Sequence, residues 1–489
     1  MTLDPNTPVI VGVAQLLQRE DDPLRAREPL TLMREAIERA AQDAGARELC
    51  RRIESLRVVR GVWPYEDPGR VLASELDVPG AETCSTPYGG NMVQSVLNQS
   101  ALEILRGERR VVALVGAETG RTQARARRAG IQLSYRKAPG KPDRIIGEDH
   151  PMLGPAELAR KIRMPIQIYP MFENALRHAR GDSLEAQRVR IGELWARFNS
   201  VAVDNPHAWI REAHSADEIA TPSPSNRMIG FPYTLMLNSN SRVDMAAAIF
   251  LCSLGVARSL QIPDDRLVYP HAGTDAHDTD FVSNRVDLHS SPAIRFAGRR
   301  VLELARLGVD DLGPVDVYSC FPSAVQVAAQ ELGLSLERPL TVTGGLTFGG
   351  GPLNNYVMHS IARMVERLRA EPGTRGLITA NGGFLTKHAF GVYSSEPPVE
   401  PFRHEDLQAQ VDALPSREAV VDFDGPVEIE SYTVMHGAEG PERAHAACLL
   451  SDGRRSWASS SDPELMAAMT REEFCGKRAR IDGHGELAV

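Results

Sequence analysis

The sequence predicts an α/β protein made of two similar halves, with a helical insertion in the first half and a small β-barrel at the end. Three observations support this class. Short β-branched runs alternate with segments of helical periodicity, which is typical of a parallel or mixed sheet covered on both faces. The same order of strand, glycine turn, helix and strand occurs twice. From residue 405 onward, short strand-like runs are separated by turn residues.

The first half begins with "TPVIVGVAQ", an apolar β-branched run that predicts a buried strand. In "PLTLMREAIERAAQDAG" apolar residues recur at helical spacing as far as Gly45, a typical helix stop. "IESLRVVRGVW" predicts a second strand. Residues 82–119, "ETCSTPYGGNMVQSVLNQSALEILRGERRVVALVGAET", then predict a short strand, a Gly-Gly turn, a helix and a buried strand over 111–115. A turn that feeds a helix N-terminus suits a nucleophile or an anion.

The α/β pattern stops at residue 121 and resumes near residue 239. "RTQARARRAGIQLSYRKAPGKPDR" is basic and predicts a loop, and Pro-interrupted amphipathic helices follow it. The second half repeats the elements of the first, with "PSAVQVAAQELGL" as a helix and "RGLITANGGFLTKHAFGVYSS" as a strand, a turn and a strand. The predicted divisions are 1–122 with 239–285 for the first half, 123–238 for the insertion and 286–398 for the second half.

A Pro- and charge-rich stretch, "EPPVEPFRHEDLQ", predicts a linker to the last domain, residues 405–489. There, "AVVDFDGPVEIESYTVMHG", "AHAACLLSDG", "RRSWASSS" and "GKRARID" predict strands, and "PELMAAMTREEF" predicts one short helix. Several short strands with a single helix are typical of a small barrel of the OB type.

Composition limits the class of protein. The chain has 489 residues, of which 42% are hydrophobic and 24% charged, as in core-forming globular proteins. A net charge of −9 argues against a nucleic-acid partner. Six cysteines without a CxxC pair predict neither a metal site nor a disulfide framework. With no signal-like N-terminus and no apolar run that could span a bilayer, a cytoplasmic location is expected.

Three stretches resemble the thiolase superfamily. "GERRVVALVGAET" is similar to the thiolase strand that ends in a glycine-rich turn with a glutamate. "NSNSRVDMAAAIFLCSLGVARSLQIP" resembles the segment with an asparagine-rich turn and an alanine run. "VLELARLGVDDLGPVDVYSCFPSAVQVAAQELGL" resembles the segment that leads to a catalytic asparagine or histidine, and is nearest to the sterol-carrier-type thiolases. The resemblance covers roughly residues 5–398 and implies the duplicated αβαβα thiolase fold with an inserted loop domain.

The resemblance also marks four catalytic positions, and all four are exchanged here. The nucleophilic cysteine position falls on Gly90, and Cys84 lies earlier, in the lead-in. The other three positions fall on Tyr318, Gly351 and Asn381. Thiolase chemistry needs a thiolate that takes the acyl group and a second base. Neither is present at its expected place.

Backbone donors and a few side chains remain as candidates. Gly90 and Asn91, at a helix start, and Gly350 and Gly351, in "GGGP", either bind the oxyanion of a thioester enolate or only allow tight turns. Tyr88, just before this helix, either lines an acyl pocket or packs.

Three further side chains are candidate catalytic residues. Tyr318 either polarises a carbonyl or is a buried tyrosine with a satisfied hydroxyl. Asn381 is expected to orient a carbonyl, and His388 in "TKHAF" is either a base or structural. Strand alternation is expected to turn Cys320 away from Tyr318 into the core.

A basic run follows the strand of residues 111–115. In thiolases the inserted loop domain carries the nucleotide of coenzyme A, so Arg121, Arg125, Arg128 and Lys137 are predicted to bind its phosphates; the alternative is a solvated charged face. "HAGTDAHDTD" contains metal-type residues but is interpreted as a loop, and no metal site is predicted.

The resemblance implies an acetyl-CoA acyltransferase, whereas the exchanged residues favour an acyl-CoA-binding protein without ordinary thiolysis. Two alternatives stay open. One is retro-aldol cleavage of a 3-hydroxyacyl-CoA, as in thiolase-like aldolases that work with an OB-fold partner. The other is non-catalytic binding of acyl-CoA or a lipid. No permanently bound cofactor is expected, and coenzyme A or acyl-CoA is the expected ligand. The resemblance implies a homodimer, with a monomer as the alternative.

Overall fold

The structure, a computed structural model, describes residues 3–489. The strands are β1 (Pro8–Leu17), β2 (Ser55–Val58), β3 (Glu82–Ser85), β4 (Val111–Thr119), β5 (Arg144–Ile145), β6 (Met228–Gly230), β7 (Tyr233–Thr234), β8 (Asp244–Ser253), β9 (Tyr269–His277), β10 (Val315–Asp316), β11 (Arg375–Gly382), β12 (Lys387–Ser394), β13 (Arg403–Asp406), β14 (Ala419–Val420), β15 (Gly425–His436), β16 (Pro441–Leu449), β17 (Arg455–Ser460), β18 (Arg478–Ile481) and β19 (Leu487–Ala488). The helices are α1 (Pro29–Asp43), α2 (Pro68–Glu75), α3 (Met92–Leu105), α4 (Gly120–Ala129), α5 (Pro155–Ala159), α6 (Pro165–Arg180), α7 (Leu184–Asp204), α8 (Ala216–Ala220), α9 (Leu254–Ser259), α10 (Pro292–Leu304), α11 (Pro322–Leu332), α12 (Tyr356–Ala370), α13 (Gln408–Asp412) and α14 (Pro463–Met469).

Two mixed sheets share one topology. The first has the order β1-β8-β4-β2-β3-β5, and the second has the order β10-β11-β12-β9-β13. In the first sheet β8 is antiparallel to both β1 and β4, and β4 is parallel to β2. In the second sheet β12 is antiparallel to both β9 and β11, and β11 is parallel to β10. The repeated pattern confirms the duplicated fold expected from the sequence.

The two sheets enclose a central layer of helices. Both α3 and α12 contact strands of the two sheets, while α1 covers the first sheet and α10 covers the second. Strands β4 and β8 are buried along their whole length, which explains their near-continuous apolar sequences. Helix α1 lies close to β1 because Gly12 has no side chain where the backbone of Ala40 approaches. The layers therefore follow the order αβαβα.

The inserted region and the C-terminal domain are joined. In the C-terminal domain a sheet path runs β14-β17-β16-β15-β18-β19, and a bridge between Ser459 and Glu486 returns the last strand to β17, so the strands close a small barrel. Strand β6 of the insertion pairs with β15 through Gly230 and Met435. Helix α6 packs on the same strand.

Two buried arginines fasten the barrel to the rest of the chain. Arg455 pairs with Glu430 within the barrel and donates to the backbone carbonyls of three residues in the loop after β9. Arg177 of α6 pairs with Glu473 near the C-terminus. Trp457 donates from its indole nitrogen to Ser283 at 2.8 Å. The C-terminal domain is thus held by buried polar contacts as well as by strand pairing.

The structure differs from the sequence predictions at three places. Residues 120–129 form helix α4, which ends at Gly130, where a loop was predicted. "HAGTDAH" belongs to strand β9 of the second sheet, so that sheet starts well before the predicted boundary at residue 286. The predicted linker contains β13, which pairs in parallel with β9. In each case pairing or packing distant in sequence overrides a polar local composition.

Within residues 3–489, no helix is both long enough and apolar enough to span a bilayer.

Candidate functional site

The first turn of α3 carries free backbone donors. The amide groups of Met92 and Gln94 donate to the carbonyls of Gly89 and Asn91. Among the residues that the structure describes, the N–H groups of Gly90 and Asn91 have no hydrogen-bond partner. Unpaired N–H groups at a helix start are suited to bind a carbonyl or an anion.

No space is left for a side chain at position 90. A Cβ atom added to Gly90 would overlap the Tyr318 hydroxyl and the backbone oxygen of Asn381, and it would stand 2.9 Å from Cζ of Tyr318. The structure therefore brings together three of the predicted positions, Gly90, Tyr318 and Asn381. The phenol of Tyr318 occupies the room that a nucleophile at position 90 would need.

Tyr318 is a buried, neutral phenol. Its ring packs edge-on against Tyr356, with 5.4 Å between the ring centroids. Its backbone N–H donates to the hydroxyl of Thr379 at 3.0 Å. Burial raises the pKa of the Tyr318 hydroxyl well above its ordinary value. The hydroxyl can donate a hydrogen bond, but it is not available as a base.

Asn381 belongs to a buried network that the sequence did not reveal. Its amide nitrogen donates to the Tyr169 hydroxyl at 3.1 Å and lies 3.8 Å from Sγ of Cys320. Tyr169 comes from α6 and stacks on Phe321 with a centroid distance of 4.3 Å. No local pattern marks Tyr169, because only the packing of the insertion brings it to this site.

Cys320 is buried in the core, as predicted, but it is not turned away from the site, because its Sγ lies beside the amide of Asn381. Residues two apart on a strand share a face, so alternation would not separate Cys320 from Tyr318, and β10 ends at Asp316 in any case. Burial raises the pKa of the Cys320 thiol to about 12, so the sulfur stays protonated at neutral pH. Cys84 is also buried, with a raised pKa that burial causes. Neither thiol is an activated nucleophile.

His388 is held in a second buried network. Its Nε2 lies 3.2 Å from the carbonyl oxygen of Leu385 and 3.5 Å from Oδ2 of Asp278. Asp278 also accepts hydrogen bonds from Ser291 and from the backbone of Ala293. This arrangement orients His388 toward a structural carboxylate.

Tyr318, Asn381 and His388 surround a cavity of about 10 Å³. A cavity of this size holds roughly one water molecule.

The glycine turn near residue 350 has little free space around it, and one of its N–H groups is already bonded. Gly351 donates its N–H to the carbonyl of Asn240 at 2.9 Å, so this amide is not free for an oxyanion, contrary to its predicted role. A Cβ at Gly351 would overlap the hydroxyl of Ser239. Gly350 has φ +110°, a conformation that favours glycine, and packs against Met245. The positions of the turn have tight-turn and packing roles.

A polar groove of about 330 Å³ opens beside the first turn of α3. Asn91 and Ser95 form one wall, and Lys387 lies on β12. On the β9 side, Asp275 accepts hydrogen bonds from Ser95 and from Asn98, and it pairs with Nε2 of His404 at 2.7 Å. The predicted site residue His388 also lines this groove. The other lining residues are Met92, Gln99, Ile146, Gly147, Glu148, His150, Ala276, His277, Asp406 and Gln408. Asn91 and Met92 place this groove against the first turn of α3.

The basic residues predicted to bind coenzyme A lie outside this groove. Arg121 and Arg125 both contact Asp21 of the N-terminal segment, while Arg128 and Lys137 are exposed. The Asp21 carboxylate therefore already neutralises part of the basic run.

Tyr88 does not line the groove either. Its hydroxyl donates to the carbonyl of Gly61 at 3.2 Å, and the guanidinium of Arg60 lies 5.5 Å from its ring centroid.

Comparisons with known proteins agree with this architecture. Residues 406–486 match the model of the "Thiolase-like protein type 1 additional C-terminal domain". An acetyl-CoA acetyltransferase of Methanothermobacter thermautotrophicus is 27% identical over 216 residues, which is 39% of this chain and 54% of that relative. The chain thus matches about half the length of this curated relative.

Two solved structures resemble the whole fold or most of it. A monomeric SCP2-thiolase like protein type 1 from Mycobacterium smegmatis superimposes with a TM-score of 0.84 at 29% identity, over 100% of both chains. The Ltp2–ChsH2(DUF35) aldolase superimposes with a TM-score of 0.61 at 20% identity, over 79% of this chain and 98% of that one, a likeness of fold alone. The chain is a thiolase-superfamily protein of the SCP2-thiolase-like kind and carries the additional C-terminal domain of type 1 thiolase-like proteins.

Proposed function

We propose that this chain binds acyl-CoA thioesters without covalent acyl transfer. The observation that carries the proposal is the filled space at Gly90, where the Tyr318 hydroxyl and the Asn381 carbonyl exclude any nucleophilic side chain. Thiolysis requires a thiolate in contact with the thioester. The buried Cys320 beside Asn381 keeps its proton at neutral pH.

The free N–H groups of Gly90 and Asn91 support binding of a carbonyl oxygen. They lie at the positive end of the α3 dipole, and Asn91 also lines the polar groove. A groove of about 330 Å³ lies in the size range of small-molecule sites. We assign the thioester carbonyl to this helix start and the adjoining part of the ligand to the groove.

Calorimetric titration with coenzyme A, acetyl-CoA, longer acyl-CoAs and a 3-hydroxyacyl-CoA tests the proposal, with mass spectrometry of the same samples. We expect saturable binding, an unmodified protein mass and unchanged ligands. An acyl adduct on a cysteine, or a thiolysis product, would contradict it. Cleavage of the 3-hydroxyacyl-CoA would favour the aldolase alternative, and no binding of any of these ligands would retire the acyl-CoA assignment.

The variant Asn91→Asp locates the bound carbonyl. Aspartate at a helix N-cap maintains the helix, but its charge repels a carbonyl oxygen at the free donors. We expect at least a tenfold loss of affinity, on the order of 1.4 kcal/mol. Gln42→Glu, the same amide-to-carboxylate change on an exposed part of α1, is the matched control and should bind as the wild type does.

We further propose that the chain is monomeric. Strand β4 is paired on both sides, by β2 and β8, and cannot pair with a second copy. Strand β3 pairs with β2 on one side, and its other side is covered by β5 of the same chain. The similar protein from Mycobacterium smegmatis is described as monomeric. Sedimentation equilibrium is expected to give the mass of one chain, 53.5 kDa, and a stable dimer would contradict this.

A further inference from the structure

Two histidines and an aspartate meet at one wall of the polar groove. His150 comes from the loop after β5, while His277 ends β9 and Asp280 follows it. Nδ1 of His150 lies 3.2 Å from Oδ1 of Asp280, and the two imidazole rings have centroids 4.2 Å apart. One ligating atom from each of the three residues lies within 4.8 Å of the others.

The distance between the ligating atoms suits a cation with tetrahedral coordination. Two ligands about 2.0–2.1 Å from a zinc ion at a tetrahedral angle stand about 3.3 Å apart. The distance of 3.2 Å between His150 and Asp280 is close to this edge length. All three residues are half-buried, and the two histidines line the groove, so a cation there would keep access to solvent.

Neighbouring groups orient the ligands. Nδ1 of His277 lies 2.8 Å from the carbonyl oxygen of Asp278, and by donating its hydrogen there it leaves Nε2 with a free lone pair. Metal-binding histidines commonly use the second ring nitrogen in this way. The ammonium of Lys387 donates to the backbone carbonyl of His150 at 2.9 Å and holds the loop that carries this ligand.

We propose that His150, His277 and Asp280 bind a divalent cation of the zinc class. Two imidazoles and one carboxylate supply three protein ligands, and the fourth position faces the groove, open to water or to an anionic oxygen of a ligand. Two of the three ligands, His277 and Asp280, lie within "HAGTDAHDTD", whereas His150 lies far from them along the chain. The proposal does not depend on acyl-CoA binding.

A second cluster, His178, Glu473 and Cys475, has a different character. Both carboxylate oxygens of Glu473 are bound by the buried guanidinium of Arg177. The N–H of Cys475 also donates to Glu473 at 2.8 Å. Because the negative charge of Glu473 is already balanced, this cluster has no need of a cation, and it provides the control.

The test uses the full-length chain treated with a chelator and then titrated with zinc chloride by calorimetry. Cobalt(II) absorption spectroscopy reports the coordination geometry independently. We expect one equivalent of zinc to bind and cobalt(II) to give intense visible bands of a tetrahedral site. His277→Ala and the near-isosteric Asp280→Asn should weaken zinc binding at least about 100-fold, since even changes to second-layer partners cost 10- to 100-fold. His178→Ala should bind as the wild type does.

The proposal is overturned if the wild type takes up no stoichiometric zinc, if Asp280→Asn binds zinc as tightly as the wild type, or if His178→Ala abolishes binding. Far-UV circular dichroism confirms that each variant is folded. If His277→Ala does not fold, Asp280→Asn and the loop variant His150→Ala decide the question.

Discussion

Position 90 carries no side chain, and the phenol of Tyr318 fills the space that a side chain there would occupy. Tyr318 and Asn381 approach Gly90 from a loop and from strand β11, so the position is closed from two directions. Introducing a cysteine at position 90 therefore would not by itself rebuild a thiolase nucleophile. The tyrosine ring and the backbone of Asn381 would have to move as well.

The first prediction concerns the methyl group that Gly90 lacks. Gly90→Ala should lower the free energy of unfolding by about 1–3 kcal/mol, because the added Cβ overlaps two oxygen atoms in a closed site. Urea denaturation measures the change. Gly80→Ala is the control, since nothing lies within 4 Å of the added Cβ there. Equal stabilities of the two variants would disprove the overlap, and Tyr318→Phe should return part of the loss.

The second prediction concerns Glu118 at the end of β4. Its buried carboxylate accepts one hydrogen bond, from the N–H of Val62 at 2.9 Å, and burial raises its pKa from 4.5 to about 7. Because the folded pKa is above the unfolded one, this group's contribution to stability is complete below pH 4.5 and is lost as the pH rises through 7. The loss amounts to about 3 kcal/mol.

Glu118→Gln isolates this effect, because an amide keeps an acceptor for Val62 but does not ionise. Relative to the wild type, the variant should gain stability progressively between pH 4.5 and pH 7, measured by denaturation at each pH. Its advantage should then level off at higher pH. A stability difference that stays constant from pH 4 to pH 8 would show that Glu118 ionises normally in the folded protein.

At the level of elements, the two-residue strand β5 protects an edge. Asp143, just before β5, accepts a hydrogen bond from the buried N–H of Thr83 at 2.8 Å and pairs with Arg70. Just after β5, Ile146 donates its N–H to the carbonyl of Ser85 at 2.9 Å. An uncovered sheet edge invites pairing with another chain, and this segment occupies the edge of β3.

The third prediction is that Asp143→Ala loosens this edge. The N–H of Thr83 loses its acceptor, so its hydrogen exchange should accelerate, and the free energy of unfolding should fall by about 1 kcal/mol. Hydrogen exchange followed by mass spectrometry on peptides that contain β3 is the measurement. Lys141→Ala, an exposed change in the same segment, should exchange as the wild type does. Unchanged protection in Asp143→Ala would mean that β5 alone secures the edge.

Long apolar elements could be predicted from the sequence, whereas short or polar ones could not. Strands β1, β4 and β12 and helices α1 and α11 follow from apolar runs or helical spacing, and the structure has them at those places. Strands β5 and β13 have polar sequences and exist because a distant strand pairs with them. The strongly basic sequence of residues 120–129 predicts a loop, whereas the structure has helix α4 there.

Some residues of the candidate site could likewise be predicted from the sequence, and others could not. Gly90, Tyr318 and Asn381 lie at or next to turns whose order along the chain could be recognised, and the structure brings them together. Tyr169 and His150 come from the insertion, whose placement depends on contacts between residues far apart in sequence. No spacing rule within the chain links them to the site.

At the scale of the whole molecule, buried polar contacts join the C-terminal domain to the rest of the chain. Arg455 is fully buried, pairs with Glu430 and donates to the carbonyls of three residues of the neighbouring loop. Strand β6 extends the barrel sheet into the insertion. Because these contacts cross between the domains, we expect both to unfold together.

The fourth prediction tests this coupling. Arg455→Ala should cost about 3–5 kcal/mol, since it leaves Glu430 and the carbonyls of Ser283 and Arg285 without their donor. The melting temperature should fall for the whole chain, not for one domain alone. Arg454→Ala, next in sequence but only half-buried and paired with Asp452 near the surface, is the matched control and should melt as the wild type does. A separate early transition of the C-terminal domain in Arg455→Ala would argue that the domains are only loosely coupled.

The pairing of β6 with β15 also has a consequence for synthesis on the ribosome. Gly230 meets Met435 across the sheet, about two hundred residues later in the chain. At roughly 5–20 residues per second, translation needs about 10–40 s to deliver that partner. During this interval Phe231, which stacks on Tyr432 in the finished protein, has no covering ring. The side chain of Phe231 is therefore expected to stay without its partner ring until the last domain emerges.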